Sequence, residues 1–235
     1  MKINSFAFQG VNGAYSEQAG KNVFPDAKSL PCSTFEEMFA CVRNDKAEIA
    51  LVPIENSQAG RVADTQRLIP DSDLNIIGEY FLEVRHNLLA LPGASINDIK
   101  RIHSHEQGIA QCRNNIIKLN KEMVIEADTA GSAKLISEIN NKEDAAIASE
   151  LAAKIYDLEI LETNFQDLSN NVTRFLVMRN DLEDIDPSSH KIITTLVFNV
   201  RSIPAALYKC LGGFASNGVN ITKLESYVHP QGFDV

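Results

Sequence analysis

The sequence has no excess of basic residues. Its 235 residues carry 22 lysines and arginines against 31 aspartates and glutamates, which gives a formal net charge of −9. Proteins that bind nucleic acid neutralise phosphates with clustered lysines and arginines, and this sequence has no such basic stripe. We therefore expect no nucleic acid among its partners.

Long apolar runs and closely spaced cysteines are missing as well. No window approaches the roughly 18 uncharged apolar residues that suggest a membrane span, and residues 1–6 contain no apolar signal segment. The cysteines at 32, 41, 112 and 210 stand far apart in the sequence, without a C-x-x-C pair. Such cysteines are typical of buried free thiols in a reducing compartment. We expect a cytoplasmic protein that makes no contact with membranes.

What the sequence contains is an alternation of short strands and amphipathic helices. The near-continuous apolar run at 48–54 predicts a strand covered on both faces, and the apolar residues of 35–42 repeat with helical spacing. Ser16 is the predicted N-cap of the first helix, and further helices are predicted at 58–69 and 107–119. This alternation implies an α/β fold of parallel or mixed sheets with helices on both faces.

A weak similarity between two segments of the sequence favours two lobes. Residues 46–50 and 142–148 each follow an amphipathic helix and open an alanine-rich strand. Two α/β lobes, arranged as in periplasmic binding proteins, would leave a ligand cleft at the carboxyl ends of their strands. We predict one domain at 1–180, with lobe I at about 1–80 and 160–180 and lobe II at 81–159.

The remaining residues predict a linker and a small α+β unit. The stretch 181–190 is acidic, turn-rich and aperiodic, as linkers are. Beyond it we predict a strand at 191–200, a helix that begins at Pro204 and buries Leu207, Leu211 and Phe214, and a strand at 219–228. Because a β-α-β unit of this size closes no core alone, we expect 191–235 to be truncated or completed by a partner.

Asn171-Val172-Thr173-Arg174-Phe175 lies where a polar loop becomes an apolar strand, a junction that exposes side chains on a rigid element. No histidine lies nearby, so Thr173 lacks the base that an activated nucleophile needs. Its hydroxyl can still donate a hydrogen bond to a leaving oxygen. Strand alternation places Thr173 and Phe175 on one face and Arg174 on the other. The alternative to a functional role is that residues 171–175 simply begin a core strand, with Thr173 and Arg174 capping its start.

A glycine turn, Gly10 to Gly13, joins the first strand to the first helix. Its N–H groups form either a seat for a carboxylate or a plain tight turn. It lacks the third glycine of a dinucleotide-binding loop, and no Gly-Lys-Ser/Thr follows, so nucleotide binding is not expected.

Two further motifs follow predicted strands. Glu55-Asn56-Ser57 offers an acid, an amide and a hydroxyl at a strand end, although Asn56 or Ser57 could simply cap a helix. His103-Ser104-His105 has no third ligand with metal-site spacing. We therefore expect this segment to deliver a histidine and Gln107 to the cleft rather than to bind a metal.

These four motifs occur in the order found in prephenate dehydratases, and the sequence resembles that family over residues 5–179. The stretches 128–133 and 146–149 fit the family as well. Residues 204–208 and 218–226 resemble the regulatory ACT domain that is attached to this enzyme.

The resemblance implies a carbon–oxygen lyase of phenylalanine biosynthesis that converts prephenate to phenylpyruvate, losing water and carbon dioxide, without a metal or organic cofactor. It implies that Thr173 donates to the departing hydroxyl while Asn56 and Gln107 orient the carboxylates, with Ser57 and Glu55 beside them. Substrate contacts are expected from Gly13, Ala14, Tyr15, Ser16, His105, Arg174 and Phe175, where Arg174 is either an anion clamp or a brace.

The sequence departs from the family pattern in two places. Glu106 replaces the usual proline before Gln107. In the tail, Ala205-Ala206-Leu207 and Glu225-Ser226-Tyr227-Val228 replace Gly-Ala-Leu and Glu-Ser-Arg-Pro. The resemblance implies L-phenylalanine as an allosteric effector of a homodimer or homotetramer, with contacts from Ala205, Ala206, Leu207, Asn220, Glu225 and Ser226.

Two other functions stay open. One is dehydration of arogenate, which carries an amino group where prephenate has a keto oxygen. The other is non-catalytic binding of a small carboxylate by the two lobes, a function that has no need of Thr173.

Overall fold

The computed structural model of the protein describes residues 2–182 and 192–226. The chain divides into two compact units, Met1–Asp184 and Ile185–Val235. The predicted linker at 181–190 overlaps this division, and residues 183–191 lie outside the described ranges.

The first sheet of the larger unit has the strand order β2-β1-β3-β11-β5, with β4 paired to β3. Its strands are β1 (Ser5–Gln9), β2 (Lys28–Cys32), β3 (Ile49–Asn56), β4 (Gly60–Arg61), β5 (Asn75–Glu83) and β11 (Val172–Arg179). Strand β1 pairs in parallel with β2 and β3, whereas β11 runs antiparallel between β3 and β5. Helix α1 (Tyr15–Val23) packs on one face, and α2 (Phe35–Arg43) and α3 (Ala63–Leu68) pack on the other.

The second sheet has the order β10-β6-β9-β7-β8. Its strands are β6 (Asn87–Ala90), β7 (Arg101–His105), β8 (Glu122–Glu126), β9 (Asp144–Ala148) and β10 (Glu159–Glu162). Helices α4 (Glu106–Gln111) and α5 (Arg113–Leu119) cover one face, and α6 (Thr129–Ile139) and α7 (Glu150–Ile155) cover the other. The predicted two-lobed α/β fold is therefore confirmed. We call the first sheet with its helices the first lobe, and the second sheet with its helices the second lobe.

The connections between the lobes lie a few residues from their predicted places. Strand β5 continues the first sheet to Glu83, and β10 pairs with β6 in the second sheet. The chain therefore crosses between the lobes at 84–86 and again at 163–171.

Several predicted helices were wrong in detail. Helix α1 begins at Tyr15, and its N-cap is Ala14, so Ser16 is not the cap. The predicted helix at 107–119 breaks at Cys112, because Asp167 accepts hydrogen bonds from the N–H groups that open α5. The predicted helix at 58–69 contains the short strand β4 and only one α-helical segment, α3.

The smaller unit contains helix α8 (Ala206–Ser216), which begins after Ala205 rather than at Pro204. The strands predicted at 191–200 and 219–228 do not form in residues 192–200 or 219–226, and positions 191, 227 and 228 lie outside the described ranges. No α8 side chain is buried, and Leu207 is 48% exposed, because no second layer covers the helix among residues 192–226. None of the helices in the described chain is both long and apolar enough to span a bilayer.

Two cysteines that are distant in the sequence meet in the first lobe. The Sγ atoms of Cys32 and Cys41 lie 3.6 Å apart, and both are free thiols. Cys32 and Cys112 are buried as predicted, whereas Cys41 and Cys210 are partly exposed. Burial and the neighbouring Cys41 raise the pKa of Cys32 to about 12, so this thiol stays protonated at neutral pH.

We expect Gly20→Ala to destabilise the first lobe. A Cβ at Gly20 would lie 2.2 Å from Cε2 of Phe6, a fully buried ring that has little room to move. Overpacking of this kind costs about 1–3 kcal/mol, more than the ~0.5–1 kcal/mol that alanine gains in a helix. Gly78→Ala is the control, since its nearest neighbour would be 4.0 Å away. Equal melting temperatures for the two variants by circular dichroism would contradict the clash.

Candidate active site

A cleft of about 500 Å³ lies between the two lobes. The loop after β3 supplies one wall, helices α4 and α5 supply the opposite wall, and the second crossing closes the end. Most of its polar side chains are neutral amides, and the lining residues are Gln58, Ala59, Gln107, Ala110, Gln111, Asn114, Asp167 and Leu168. Such a surface offers many hydrogen-bond donors to an anionic ligand.

Asn56, at the end of β3, has a fixed amide orientation. Its Oδ1 accepts hydrogen bonds from the backbone N–H groups of Gln58 and Ala59, at 2.9 and 2.8 Å. Backbone N–H groups can only donate, so the oxygen and nitrogen of this amide cannot exchange places. The Nδ2 group therefore donates both of its protons, to Asn171 Oδ1 at 2.6 Å and to Thr173 Oγ1 at 2.9 Å.

The orientation of Asn56 decides what Thr173 can do. Thr173 lies opposite Asn56 in the β11–β3 register, and its oxygen accepts the Asn56 proton. Within residues 2–182 and 192–226 its side chain has no other hydrogen-bond partner. The hydroxyl proton is therefore available to donate to a ligand, which leaves the donor role expected for Thr173 open to it.

The hydrogen-bond chain continues from Asn56 into the second lobe. Asn171 is buried and donates through Nδ2 to Oε1 of Gln111, at 2.9 Å. The same oxygen lies 2.7 Å from Nε2 of His86. Sequence reasoning missed Gln111, although it stands four residues after Gln107 and such spacing places two side chains on one helix face.

Gln107 and His105 lie at the start of α4. His105 caps this helix, because its Nδ1 accepts from the Gln107 N–H at 3.2 Å. The Gln107 side chain lines the cleft, as expected from the sequence. Glu106 is the first residue of α4, a position where both proline and acidic residues are favoured, so the replacement of proline keeps the helix start intact.

Ser57 and Glu55 have partners other than the cleft. The Ser57 hydroxyl donates to the Asn170 carbonyl at 2.8 Å and accepts from the Val172 N–H at 2.9 Å, which extends the β3–β11 pairing. Glu55 forms a salt bridge with Arg174 at 3.0 Å. Both residues therefore hold the strands that carry Asn56 and Thr173.

Arg174 and Phe175 also serve the framework. The Arg174 guanidinium lies between Glu55 and Glu79, at 3.0 and 2.6 Å, and above the ring of Phe81. These contacts give it the position of a brace across three strands. Phe175 is 1% exposed and packs in the first-lobe core. The substrate contact expected of this ring is therefore not available to it.

The glycine turn is satisfied internally. The Gly13 N–H donates to the buried carboxylate of Glu17 at 2.6 Å, and its carbonyl accepts from Ser149 at 2.5 Å. Its φ is +88°, and a Cβ there would lie 2.8 Å from Cα of Ala152, so glycine is required for this contact between the lobes. Ala14 is the N-cap of α1, Tyr15 and Ser16 open the helix, and the Tyr15 hydroxyl faces His86.

The His-x-His segment splits between two roles. His103 is buried between Glu126 and Asp144, with both ring nitrogens 3.0 Å from a carboxylate oxygen. His105 caps α4. Among the residues that the structure describes, no group of three or more His, Cys, Asp or Glu side chains is placed to hold a metal ion.

A model of the prephenate dehydratase family matches residues 6–183. The chain belongs to the prephenate dehydratase family. This is a family of lyases. The region of this chain that matches the family contains Asn56, Gln107, Gln111 and Thr173.

Relatives in the family are similar over most of this chain. A bifunctional N-acyl-homoserine lactone acylase/prephenate dehydratase of Komagataeibacter europaeus is 46% identical over 94% of this chain and 79% of its own length. Arogenate dehydratase/prephenate dehydratase 2 of Arabidopsis thaliana is 42% identical over 94% of this chain and 58% of its own length. The chain thus spans little more than half of that plant relative.

Two solved structures that are similar to this chain have the same fold. The structure of GqqA, a quorum quenching acylase, is 41% identical, with a TM-score of 0.84 over 98% of this chain and 84% of that chain. The prephenate dehydratase of Arthrobacter aurescens in complex with L-Phe is 31% identical, with a TM-score of 0.81 over 95% of this chain and 76% of that chain.

Loss of the Arg174 brace should destabilise the first lobe. Arg174→Ala leaves two partly buried carboxylates without this guanidinium, and we expect a loss of about 1–3 kcal/mol. Arg67→Ala is the matched control, because Arg67 and Glu36 form an exposed pair, at 48% and 58% exposure against 18% for Arg174. A surface pair of this kind contributes at most ~1 kcal/mol. Urea denaturation that ranked Arg67→Ala as the more destabilised variant would contradict the brace.

Proposed function

We propose that this chain converts prephenate to phenylpyruvate, with release of water and carbon dioxide. The observation that carries the proposal is the Thr173 hydroxyl, whose oxygen accepts from Asn56 and whose proton faces no other protein acceptor among the described residues. A donor fixed in this way can stabilise the negative charge that develops on a departing hydroxyl oxygen.

The reaction needs little from the protein beyond orientation and this donor. When the bond from the ring carbon to its carboxylate breaks, the electron pair moves through the ring and the hydroxyl on the opposite carbon leaves. The ring becomes aromatic, carbon dioxide departs, and the hydroxide becomes water by taking up a proton from solvent. Thr173 lowers the barrier by hydrogen bonding to the leaving oxygen, and the amides of Gln107 and Gln111 are suited to hold the carboxylates.

A lyase explains the Ser57 and Thr173 hydroxyls better than an acylase does. An acylase of the serine type needs a hydroxyl activated by a base. Here Ser57 is bonded to two backbone groups of the second crossing and β11, and Thr173 to an amide. Neither hydroxyl bonds a histidine in the described part of the chain. The acylase activity in the name of the Komagataeibacter relative is therefore not proposed for these residues.

Arogenate is the second candidate substrate, and Asp167 favours it. This carboxylate lines the cleft, and each of its oxygens accepts one N–H of α5, at 2.9 and 3.1 Å. Each oxygen keeps a further lone pair, so Asp167 can also accept from the ammonium group that distinguishes arogenate from prephenate. Several relatives carry arogenate dehydratase in their names.

L-Phenylalanine remains the proposed effector. Support comes from the Arthrobacter relative, which was solved in complex with L-Phe. The effector contacts expected at 205–207, 220 and 225–226 stay predictions, as do the cytoplasmic location and the homodimer or homotetramer. Titration calorimetry with L-phenylalanine tests the effector, and an absence of heat of binding would remove it.

Removing the Thr173 hydroxyl should abolish most of the turnover. Thr173→Val keeps the shape of the side chain, and we expect kcat to fall about 10²- to 10³-fold, with a loss of stability of only about 1 kcal/mol because the Asn56 amide loses one acceptor. Thr173→Ser, which keeps the hydroxyl, should retain most of the activity. Thr163→Val is the control, since Thr163 is exposed on the second crossing. Phenylpyruvate formation is the assay, and full activity of Thr173→Val would refute the proposed role.

Asp167→Asn should change the preference between the two substrates. Without its negative charge, residue 167 no longer attracts the ammonium group of arogenate, and it no longer repels the carboxylates of prephenate. We therefore expect the ratio of kcat/KM for arogenate to kcat/KM for prephenate to fall by about 5- to 30-fold. Both substrates are assayed with wild-type and variant. If the ratio is unchanged in a folded Asp167→Asn protein, Asp167 does not select between them.

A further inference from the structure

Tyr15 and His86, two residues outside the proposed reaction chemistry, form one hydrogen-bonded line with Gln111. Tyr15 in α1 places its hydroxyl 2.7 Å from Nδ1 of His86, and Nε2 of His86 lies 2.7 Å from Oε1 of Gln111. The line thus begins in the first lobe, passes through the first crossing and ends at a side chain that lines the cleft.

The direction of every bond in this line follows from Asn56. Because Asn56 must donate to Asn171, the atom of Asn171 that faces it is the oxygen, and the Asn171 nitrogen faces Gln111. The atom of Gln111 at that contact is then its oxygen, Oε1. The same Oε1 also faces His86, so with Tyr15 in place His86 donates from Nε2.

The other ring nitrogen of His86 shows how that proton is kept in place. A neutral imidazole carries one N–H, and a proton on Nε2 makes Nδ1 an acceptor. Tyr15 supplies the donor at Nδ1. The tyrosine hydroxyl also lies 3.1 Å from the Arg85 carbonyl, a longer contact than its 2.7 Å to Nδ1, and without this hydroxyl Nδ1 loses the donor that favours a proton on Nε2.

We propose that Tyr15 and His86 are positioning residues that hold the Gln111 amide with its Nε2 group directed at the substrate. This inference rests on the proposed function, because it gives Gln111 a ligand to bind. Gln111 Nε2 has no other partner among the described residues, so both of its protons are available to a substrate carboxylate.

The surroundings of His86 suit this role. The residue is 3% exposed. Its backbone N–H donates to Gln166 Oε1 at 2.9 Å, and its backbone carbonyl accepts from the Phe165 N–H at 2.7 Å. The Tyr15 ring meets the imidazole edge to face, with centroids 5.4 Å apart. Burial lowers the pKa of His86 and raises the pKa of Tyr15, so the neutral imidazole and the protonated phenol are the forms present near pH 7.

The hydrogen-bond pattern can be measured without turnover. Nitrogen-15 NMR of protein labelled at its five histidines distinguishes the two neutral tautomers, and the His86 signals are assigned by their loss in His86→Gln. We expect the Nε2–H tautomer in the wild type and a substantial Nδ1–H population in Tyr15→Phe. An Nδ1–H tautomer in the wild type, or the same tautomer in both proteins, would overturn the proposal.

The effect on the substrate is measured by steady-state kinetics. Because Gln111 would hold a carboxylate in both the ground state and the transition state, we expect Tyr15→Phe to raise KM about 5- to 10-fold with kcat nearly unchanged. His86→Leu should raise KM further, while His86→Gln, which keeps a donor near the Nε2 position, should recover part of the loss. Equal kinetics for His86→Leu and His86→Gln would contradict a donor role.

Tyr156→Phe is the matched control. The Tyr156 hydroxyl also joins the lobes, donating to the Asn12 carbonyl at 2.7 Å, but it does not reach His86 or Gln111. If Tyr15→Phe acts only by loosening the contact between lobes, the two variants should raise KM equally, and the proposal fails. A wild-type protein that does not turn over prephenate or arogenate would refute the proposed function, and the NMR comparison would still decide the role of Tyr15.

Discussion

Two backbone N–H groups fix the donors and acceptors of the hydrogen-bond network around Asn56. Those of Gln58 and Ala59 fix the oxygen of the Asn56 amide, and this leaves its nitrogen to donate in two directions. One of these hydrogen bonds goes to the Thr173 oxygen and leaves the Thr173 hydroxyl proton for a ligand. The other goes to Asn171 and orients the amides of Asn171 and Gln111. Because main-chain N–H groups cannot reverse their polarity, the donors and acceptors of the site are assigned by the fold rather than by the ligand.

The fold brings the members of this network together from distant parts of the sequence. Asn56 ends β3 and Thr173 is the second residue of β11, and antiparallel pairing places them directly opposite each other, 117 residues apart in the chain. On the other face, Arg174 joins β11 to β3 through Glu55 and to β5 through Glu79. The charged face and the reactive face of β11 are thus separate, as alternation along a strand requires.

The sequence was sufficient for the two-lobed fold, and its site residues stay predictions that the geometry allows. Apolar runs predicted β3 and β9, and the motif order pointed to Asn56, Gln107 and Thr173. It could not show that Glu17 occupies the glycine turn or that Glu55 pairs with Arg174, because such partners depend on tertiary contacts. Strand β2 was missed since it is an edge strand with Pro31 and little apolar signal. The predicted tail strands failed in residues 192–200 and 219–226, where the unit offers no covering layer.

The placement of β11 has a consequence for the order in which the protein forms during synthesis. This strand lies between β3 and β5 in the first sheet, yet it follows all of the second lobe in the chain. Strand β5 therefore has no partner in the first sheet until residues 172–179, which form β11, have been synthesised and have left the ribosome. The second lobe, whose strands run continuously from 87 to 162, can assemble earlier. Completion of the first lobe and creation of the Asn56–Thr173 pair are thus one late step.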